Sequence, residues 1–483
     1  MSVTSKLTMI GAAGAGGESE WIATWHAGES RTYYRTTLTG MLPSASYKNI
    51  FFEVEERYYN GSTWSPMQYQ RVWLNEDGNV VGQVSDSTFD RASYNNYQAR
   101  HAKDPRGEVI YCGNTSSSNP KHFSYHLDNT ISGLSYSKSA ISTSLTRSTR
   151  FSGAALEYQH TAVGTNTMCI LGSAPTGTYR GGGSIWKMLT NIGVYDPDVE
   201  LTIQEPTSSV AVYTENAQDE YITIGCDDSI GYYIYLRHFN ASGTLLKSLR
   251  WGPTYNNTRV ESRIVQDPSN PDRFWFAFTN NSTELNVWCY NANTKVFDFQ
   301  KKYTPTTSTK IEGNNQALQI GVDNDYVYIA TYKGQGDPAT KTGLLYRQDK
   351  AFTSNAERIL ITGNDNVWSS NYSFYMDVSP TGMIYYAYSS DIPANTSWYS
   401  HLIKAKWDTL KTMPASTWQG GFTNNGTMTV STDTVASSNS SFTASINTSG
   451  YSTSVSSGSS TPASSIELPM TLTGFSPDGL LEL

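Results

Sequence analysis

Apolar and polar residues alternate along this chain at a period of two, in short bursts broken by Asp, Asn, Pro and Gly. That period puts successive side chains on opposite faces of an extended strand. No stretch of ten residues carries a helical stripe, so the pattern predicts an all-β protein.

The bursts recur as a unit: short strand, tight turn, aromatic strand, polar loop, second aromatic strand, turn, third strand. The clearest copy runs over residues 260–303. Val260-Glu-Ser-Arg-Ile-Val-Gln leads into Asp267-Pro-Ser-Asn-Pro-Asp, then Arg273-Phe-Trp-Phe-Ala-Phe, Glu284-Leu-Asn-Val-Trp-Cys-Tyr and Lys295-Val-Phe-Asp-Phe. Other copies of the second strand begin at Val109, Met168, Tyr221, Tyr326 and Met383, and a degenerate one at Asn49. Centres near 111, 170, 223, 276, 329 and 386 give intervals of 59, 53, 53, 53 and 57 residues.

A unit of about fifty residues with three or four strands is one blade of a β-propeller. Its second strand lies deep in the stack, so it is the most apolar and favours Ala or Gly near its end. The preceding turns, such as Asp104-Pro-Arg-Gly and Ser379-Pro-Thr-Gly, supply tight backbone geometry. Seven copies predict seven blades, with an eighth as the alternative. Trp21-Ile-Ala-Thr-Trp reads as part of a closing hairpin, because pairing N-terminal with C-terminal strands removes the sheet edges. A string of β-sandwiches is disfavoured because the period is too short for one.

Three segments follow: a flexible Gly/Ala-rich arm over 1–18, the propeller over 19–411, and a Ser/Thr-rich β appendage over 412–483. The arm loses much entropy on ordering and buries little area, so it is disordered or threaded against a partner. Between Thr412 and Ile466 the only charge is Asp433. Composition alone permits a flexible linker there; the alternation in Thr427-Met-Thr-Val-Ser and Ser441-Phe-Thr-Ala-Ser-Ile argues for strands. Thr37-Leu-Thr-Gly repeats as Thr471-Leu-Thr-Gly, with no physical account that decides its meaning.

The net charge is −8, and no basic cluster suited to phosphates occurs, so nucleic acid is not expected as a partner. The apolar run Leu7 to Ala13 is too short to span a bilayer and makes a poor signal peptide. Cys112, Cys169, Cys226 and Cys289 lack metal-ligand spacing and read as buried free thiols, which fits a reducing cytoplasm.

Enzyme signatures are sparse. His122 and His126, four apart on one strand, are the only close histidines and read as ordinary strand residues. Glu53, Glu55 and Glu56 are the one carboxylate cluster to weigh for glycoside hydrolysis, which needs two carboxylates across the bond; a solvated strand face is the simpler reading. The Ser-x-Asp-x-Gly-x-x-Trp turns of sialidases are missing. Asp104-Pro-Arg-Gly-Glu-Val-Ile-Tyr fits the Asp-x-x-Gly-x-x-Tyr turn of NHL-like propellers, which is structural. No catalytic residue, metal or cofactor is expected. Trp64, Trp368, Trp398 and Tyr399 are the candidate binding residues: they sit in loops or near strand starts, where aromatic rings can stack on sugars. Packing between blades is the competing role.

The Gly/Ala-rich opening at 10–17, followed at once by Trp21-Ile-Ala-Thr-Trp and degenerate blades, resembles structural proteins of tailed bacteriophages, particularly marine and cyanobacterial ones. The acidic, Tyr/Asn/Ser/Thr-heavy composition is similar too. That resemblance implies a virion component of the tail, fibre or capsid surface, assembled in the host cytoplasm. Its expected partners are other virion proteins reached through the N-terminal arm, and a host-surface glycan, within a homo- or hetero-oligomeric assembly and without membrane insertion. A secreted carbohydrate-binding or glycan-active propeller is the alternative.

Overall fold

The computed structural model describes residues 6–12, 19–26, 33–45, 49–59, 62–63, 68–78, 80–86, 101–103, 109–114, 120–128, 135–142, 158–163, 167–173, 183–189, 197–203, 209–216, 218–227, 233–251, 264–280, 284–303, 318–332, 343–362, 374–392, 395–412, 421–428, 430–431, 443–448, 451–456 and 481–482. They form seven antiparallel sheets arranged as the blades of a propeller, and one separate two-stranded sheet. The chain enters through β1 (Lys6–Ala12) and β2 (Glu20–His26), which belong to the last blade.

Blade 1 is β3 (Tyr33–Ala45), β4 (Asn49–Tyr59), β5 (Gln68–Leu74) and β6 (Val80–Asp86). Blade 2 is β7 (His101–Lys103), β8 (Val109–Asn114), β9 (Pro120–Asp128) and β10 (Ser135–Ser142). Blade 3 is β11 (Tyr158–Val163), β12 (Thr167–Ser173), β13 (Gly183–Leu189) and β14 (Pro197–Ile203).

Blade 4 is β15 (Ser209–Glu215), β16 (Gln218–Asp227), β17 (Tyr233–Phe239) and β18 (Leu245–Trp251). Blade 5 is β19 (Val265–Asp267), β20 (Asn270–Asn280), β21 (Glu284–Asn291) and β22 (Val296–Tyr303). Blade 6 is β23 (Gln319–Val322), β24 (Tyr326–Tyr332), β25 (Gly343–Asp349) and β26 (Ala356–Thr362). Blade 7 is β27 (Phe374–Val378), β28 (Met383–Ile392) and β29 (Asn395–Lys406), completed by β2 and then β1.

All seven second strands read from the repeat fall in β4, β8, β12, β16, β20, β24 and β28. First strands of successive blades meet around the axis: β3 meets β7, β7 meets β11, β11 meets β15, β19 meets β23, and β23 meets β27. Blades 4 and 5 join through one apolar cluster, and β29 of blade 7 packs on β3 of blade 1, which closes the ring.

Alternation explains the stacking. On β20, Phe274, Phe276 and Phe278 face blade 4, with Ile222, Leu236 and Trp251. Trp275 and Ala277, one residue out of phase, face blade 6, with Ile320, Val327 and Ile329. The next blade repeats the device: Val327 and Ile329 face back, while Tyr328 and Ala330 face Ile384, Tyr386 and Ile403 of blade 7. A strand buried on both faces must be apolar at every position, which is why the second strands read as continuous runs. Each fully buried large side chain contributes about 1.5–3 kcal/mol. The small residues closing these strands, Ala277, Ala330 and Ala387, are fully buried. Space between blades is tight at Gly321 of β23, where an added methyl would collide with Val378 of blade 7.

Both termini depart from the sequence reading. Lys6–Ala12 was expected within a flexible arm over 1–18; it instead pairs with β2 throughout, from Lys6 opposite His26 to Ala12 opposite Glu20. The register puts Leu7, Met9 and Ile10 across from Trp25, Ala23 and Ile22, so β-competent residues outweigh the Gly/Ala composition. After β29 a helix, α1 (Trp407–Thr412), turns the chain back toward blade 6. The C-terminal region then takes two forms. β30 (Gly421–Met428), β31 (Val430–Ser431) and β34 (Leu481–Glu482) become fifth strands on β26, β22 and β18, whereas β32 (Thr443–Thr448) and β33 (Tyr451–Ser456) form a hairpin by themselves.

Candidate functional site

The antiparallel order gives the disc two unlike ends. At one end lie the connections from first to second and from third to fourth strands, short turns such as 268–269, 323–325 and 379–382. The ends of second and fourth strands, such as Tyr59, Asp86, Tyr303 and Thr362, point to the other, the long-loop end, named for the longer stretches of sequence that separate them from the next strands.

The short-turn end is occupied by polar contacts between neighbouring blades. Asp267, at the first turn of blade 5, accepts bonds from Ser269 N (2.8 Å) and from Trp275 Nε1 (2.9 Å). Lys350 of blade 6 places Nζ 2.6 Å from the same carboxylate and 3.1 Å from the Asn324 carbonyl. Burial alone would raise the Asp267 pKa; the Lys350 ammonium and the bonds from Trp275 and Ser269 outweigh it and hold the carboxyl below its ordinary value. One blade on, Asp323 accepts from Asp325 N, Tyr326 N and the Tyr328 hydroxyl (2.8 Å for the last). Asn324 N donates across to the Pro380 carbonyl of blade 7 at 3.1 Å. Gly382, at φ +80°, lies so close to Asp323 that a side chain there would meet its Oδ2 at 2.8 Å.

Blades 7 and 1 are joined in the same manner. The Glu76 carbonyl accepts from Trp21 Nε1 at 2.9 Å, from Ser19 Oγ at 2.7 Å and from Lys404 Nζ at 2.8 Å, and the Glu76 carboxylate pairs with Lys404 at 2.5 Å. One turn of blade 1 thus grips the N-terminal strand and β29 together. These groups act as mortar between blades, and their polar atoms are already engaged.

The candidate binding residues bear on the long-loop end. Trp398 and Tyr399 lie near the start of β29, opposite Asp391 and Ser390 of β28, close to the turn at that end. Trp64 and Trp368 lie outside the described residues. The strand ends that bracket them do not: Tyr59 and Gln68 bracket Trp64, Thr362 and Phe374 bracket Trp368, and all four ends point to the long-loop end. Of the four candidates, the described Trp398 and Tyr399 thus stand together at that end of blade 7.

The weighed enzymatic candidates lie on two blades, the glutamates on blade 1 and the histidines on blade 2. Glu53, Glu55 and Glu56 lie on β4 opposite Arg71, Tyr69 and Gln68, and His122 and His126 on β9 opposite Cys112 and Ser137. Among the described residues, no group of three His, Cys, Asp or Glu could hold a metal ion, and no helix is long and apolar enough to cross a membrane. Cys289 of β21 is a buried free thiol, and burial pushes its pKa far above the ordinary thiol value.

Sequence reasoning missed a polar triad within the seam between blades 4 and 5. His238 is fully buried, with Nδ1 3.1 Å from the Tyr290 hydroxyl. Its Nε2 stands 2.8 Å from Glu220 Oε2, although no directed hydrogen bond joins them. Burial, helped by Lys295, brings the His238 pKa down to about 4, and burial raises that of Glu220. The signal was available: along Tyr233-Ile-Tyr-Leu-Arg-His, His238 falls on the same face as the apolar Ile234 and Leu236.

No protein-family model matches the chain, and no curated protein matches it. Among solved structures it is similar to hydrazine synthase of Kuenenia stuttgartiensis, at 9% identity and a TM-score of 0.39, over 62% of this chain and 79% of that one. It is similar to the Dos1 propeller at 8% identity and a TM-score of 0.36, over 73% and 76% of the two chains. A third likeness is to a subtype N10 neuraminidase-like protein of a little yellow-shouldered bat isolate, at 9% identity and a TM-score of 0.29, over 51% and 94%. Likenesses this distant carry no argument about function; the propeller assignment rests on the sheet order described above.

Proposed function

We propose that this protein is a non-catalytic virion component, a propeller disc that serves assembly and attachment and presents its long-loop end to a surface glycan. The observation that supports the attachment role is the asymmetry of the two ends: among the described residues, the short turns of blades 5, 6, 7 and 1 are engaged in contacts between blades, while Trp398 and Tyr399 stand near a turn at the opposite end. Indole and phenol rings stack on sugar faces, and Asn-, Ser- and Tyr-rich connections supply hydrogen bonds to hydroxyls. The virion setting is supported by the resemblance of the opening segment and of the chain's composition to tailed-phage structural proteins.

The test is a titration of the purified chain with bacterial capsular and lipopolysaccharide fragments, followed by calorimetry. Trp64→Ala, Trp368→Ala and Trp398→Ala are each expected to weaken binding about tenfold, or 1.4 kcal/mol, with unchanged melting temperature. Silence across the panel would remove the glycan role. Release of reducing ends would make the disc an enzyme. Electron microscopy of phage particles carrying a tagged copy reads the virion assignment separately.

A further inference from the structure

The chain's own ends close the outer edges of four consecutive blades. β1 lies outside β2 on blade 7, β30 pairs with β26 on blade 6, β31 with β22 on blade 5, and β34 with β18 on blade 4. Among the described residues the other three blades end at their fourth strands, β6, β10 and β14. An uncovered edge strand offers a row of unpaired N–H and C=O groups to any extended segment, unless charge or proline protects it. β14 has that protection in Pro197, Asp198 and Glu200, and β10 carries Lys138. β6 reads Val80-Val-Gly-Gln-Val-Ser-Asp, uncharged until its last residue.

We propose that the edge of β6 takes up the β32–β33 hairpin of a second copy of this chain by strand addition. The chain itself argues for that occupant. The C-terminal segment already adds to three blade edges of unlike sequence: Ala356-Glu-Arg-Ile-Leu-Ile-Thr, Val296-Phe-Asp-Phe-Gln-Lys-Lys-Tyr and Leu245-Leu-Lys-Ser-Leu-Arg-Trp. Its recognition is therefore of the main chain, the mode in which an added strand gains affinity from ladder hydrogen bonds. The hairpin joins no blade among the described residues, and a two-stranded sheet alone is at best marginally stable in water. It lies between β31 and β34, which hold only two residue pairs each, Lys302 with Ser431 and Tyr303 with Val430, and Leu249 with Glu482 and Arg250 with Leu481. The hairpin is tethered by residues 432–442 to β31 and by 457–480 to β34, and the shorter tether lets it swing roughly 40 Å from the edge of blade 5 when extended. No charge falls on either hairpin strand to oppose docking.

Because the edge and the hairpin are different surfaces, the contact is heterologous and grows into rings or open strings rather than stopping at a pair. It uses the rim, so the glycan titration and this proposal can fail independently.

The experiment is sedimentation velocity of the full chain over a concentration series. The wild type is expected to form species that grow with concentration. Val84→Lys, which charges the edge, and Ile446→Pro, which breaks the hairpin, are each expected to weaken association at least tenfold. Mixing the two variants is decisive: the Val84→Lys chain still offers a hairpin and the Ile446→Pro chain still offers an edge, so the mixture forms a dimer and stops there. Ser85→Lys repeats the edge test if Val84→Lys lowers the melting temperature. A wild type that stays monomeric, variants that associate like the wild type, or a mixture that does not recover would each overturn the proposal.

Discussion

His238 shows how a single buried group couples the fold to pH. In the unfolded chain its imidazole takes a proton near pH 6.5, while in the seam between blades 4 and 5 burial lowers that value to about 4. Between those limits the unfolded state binds the proton more readily, so stability is complete above pH 6.5 and falls as the pH drops toward 4. The linkage is on the order of 3 kcal/mol. Glu220 works in the opposite sense: its raised pKa makes the folded state the better proton acceptor, which offsets part of the loss. Urea titrations at a series of pH values are expected to show the wild type losing stability across this window, with His238→Gln giving a visibly flatter profile. Matching slopes would remove His238 from the account. At the same scale, Gly382→Ala combines a positive φ with a close approach to Asp323, and is expected to cost about 1–3 kcal/mol by thermal unfolding.

Between elements, Lys350 of blade 6 is tied to Asp267 of blade 5. The Asp267 side chain is 1% exposed and that of Lys350 13%, so screening by water is slight. Removing one member of such a pair leaves an uncompensated charge, at a cost of about 3–5 kcal/mol. Lys350→Met is expected to destabilise by that order in urea, and adding Asp267→Asn should recover most of it. Recovery below a third would show that Trp275 and Ser269 alone already satisfy the carboxylate. The Arg347–Asp408 pair makes the contrast: at 3.9 Å, with Asp408 86% exposed, its loss is expected to be within the error of the measurement. This level was also the most legible in the sequence. Burial on both faces forces a continuous apolar run with a small residue at its end, so Val109, Tyr221, Arg273 and Tyr326 could each be read as opening a second strand. The fifth strands β30, β31 and β34 left no such trace, because strand addition is written in main-chain hydrogen bonds and asks little of side chains. Trp64, Trp368, Trp398 and Tyr399 were legible only as aromatics beside polar turns; the end of the disc at which Trp398 and Tyr399 stand follows from strand order, which no local pattern encodes.

For the whole molecule, everything turns on how the ring is shut. β2 is an interior strand of blade 7 although it comes from the start of the chain: Ala23 stands opposite Leu402 of β29 on one side and Met9 of β1 on the other. Trp21 and Lys404 then hold the same Glu76 carbonyl of blade 1, so closure within blade 7 and docking onto blade 1 are one event. A proline at Ala23 removes a donor from a strand paired on both sides, whereas a proline at Met9 falls on the outermost strand, where prolines are tolerated. Ala23→Pro is therefore expected to cost at least ~2 kcal/mol, the penalty of an unmet buried backbone bond, and to broaden unfolding as blade 7 separates first. Met9→Pro should shift the midpoint little and keep a single transition. Monitored by tryptophan fluorescence against far-ultraviolet dichroism, the two probes should part for Ala23→Pro and coincide for Met9→Pro. Equal effects would mean that β2 adds no more than β1 does, and that the disc is held shut by blade-to-blade packing alone.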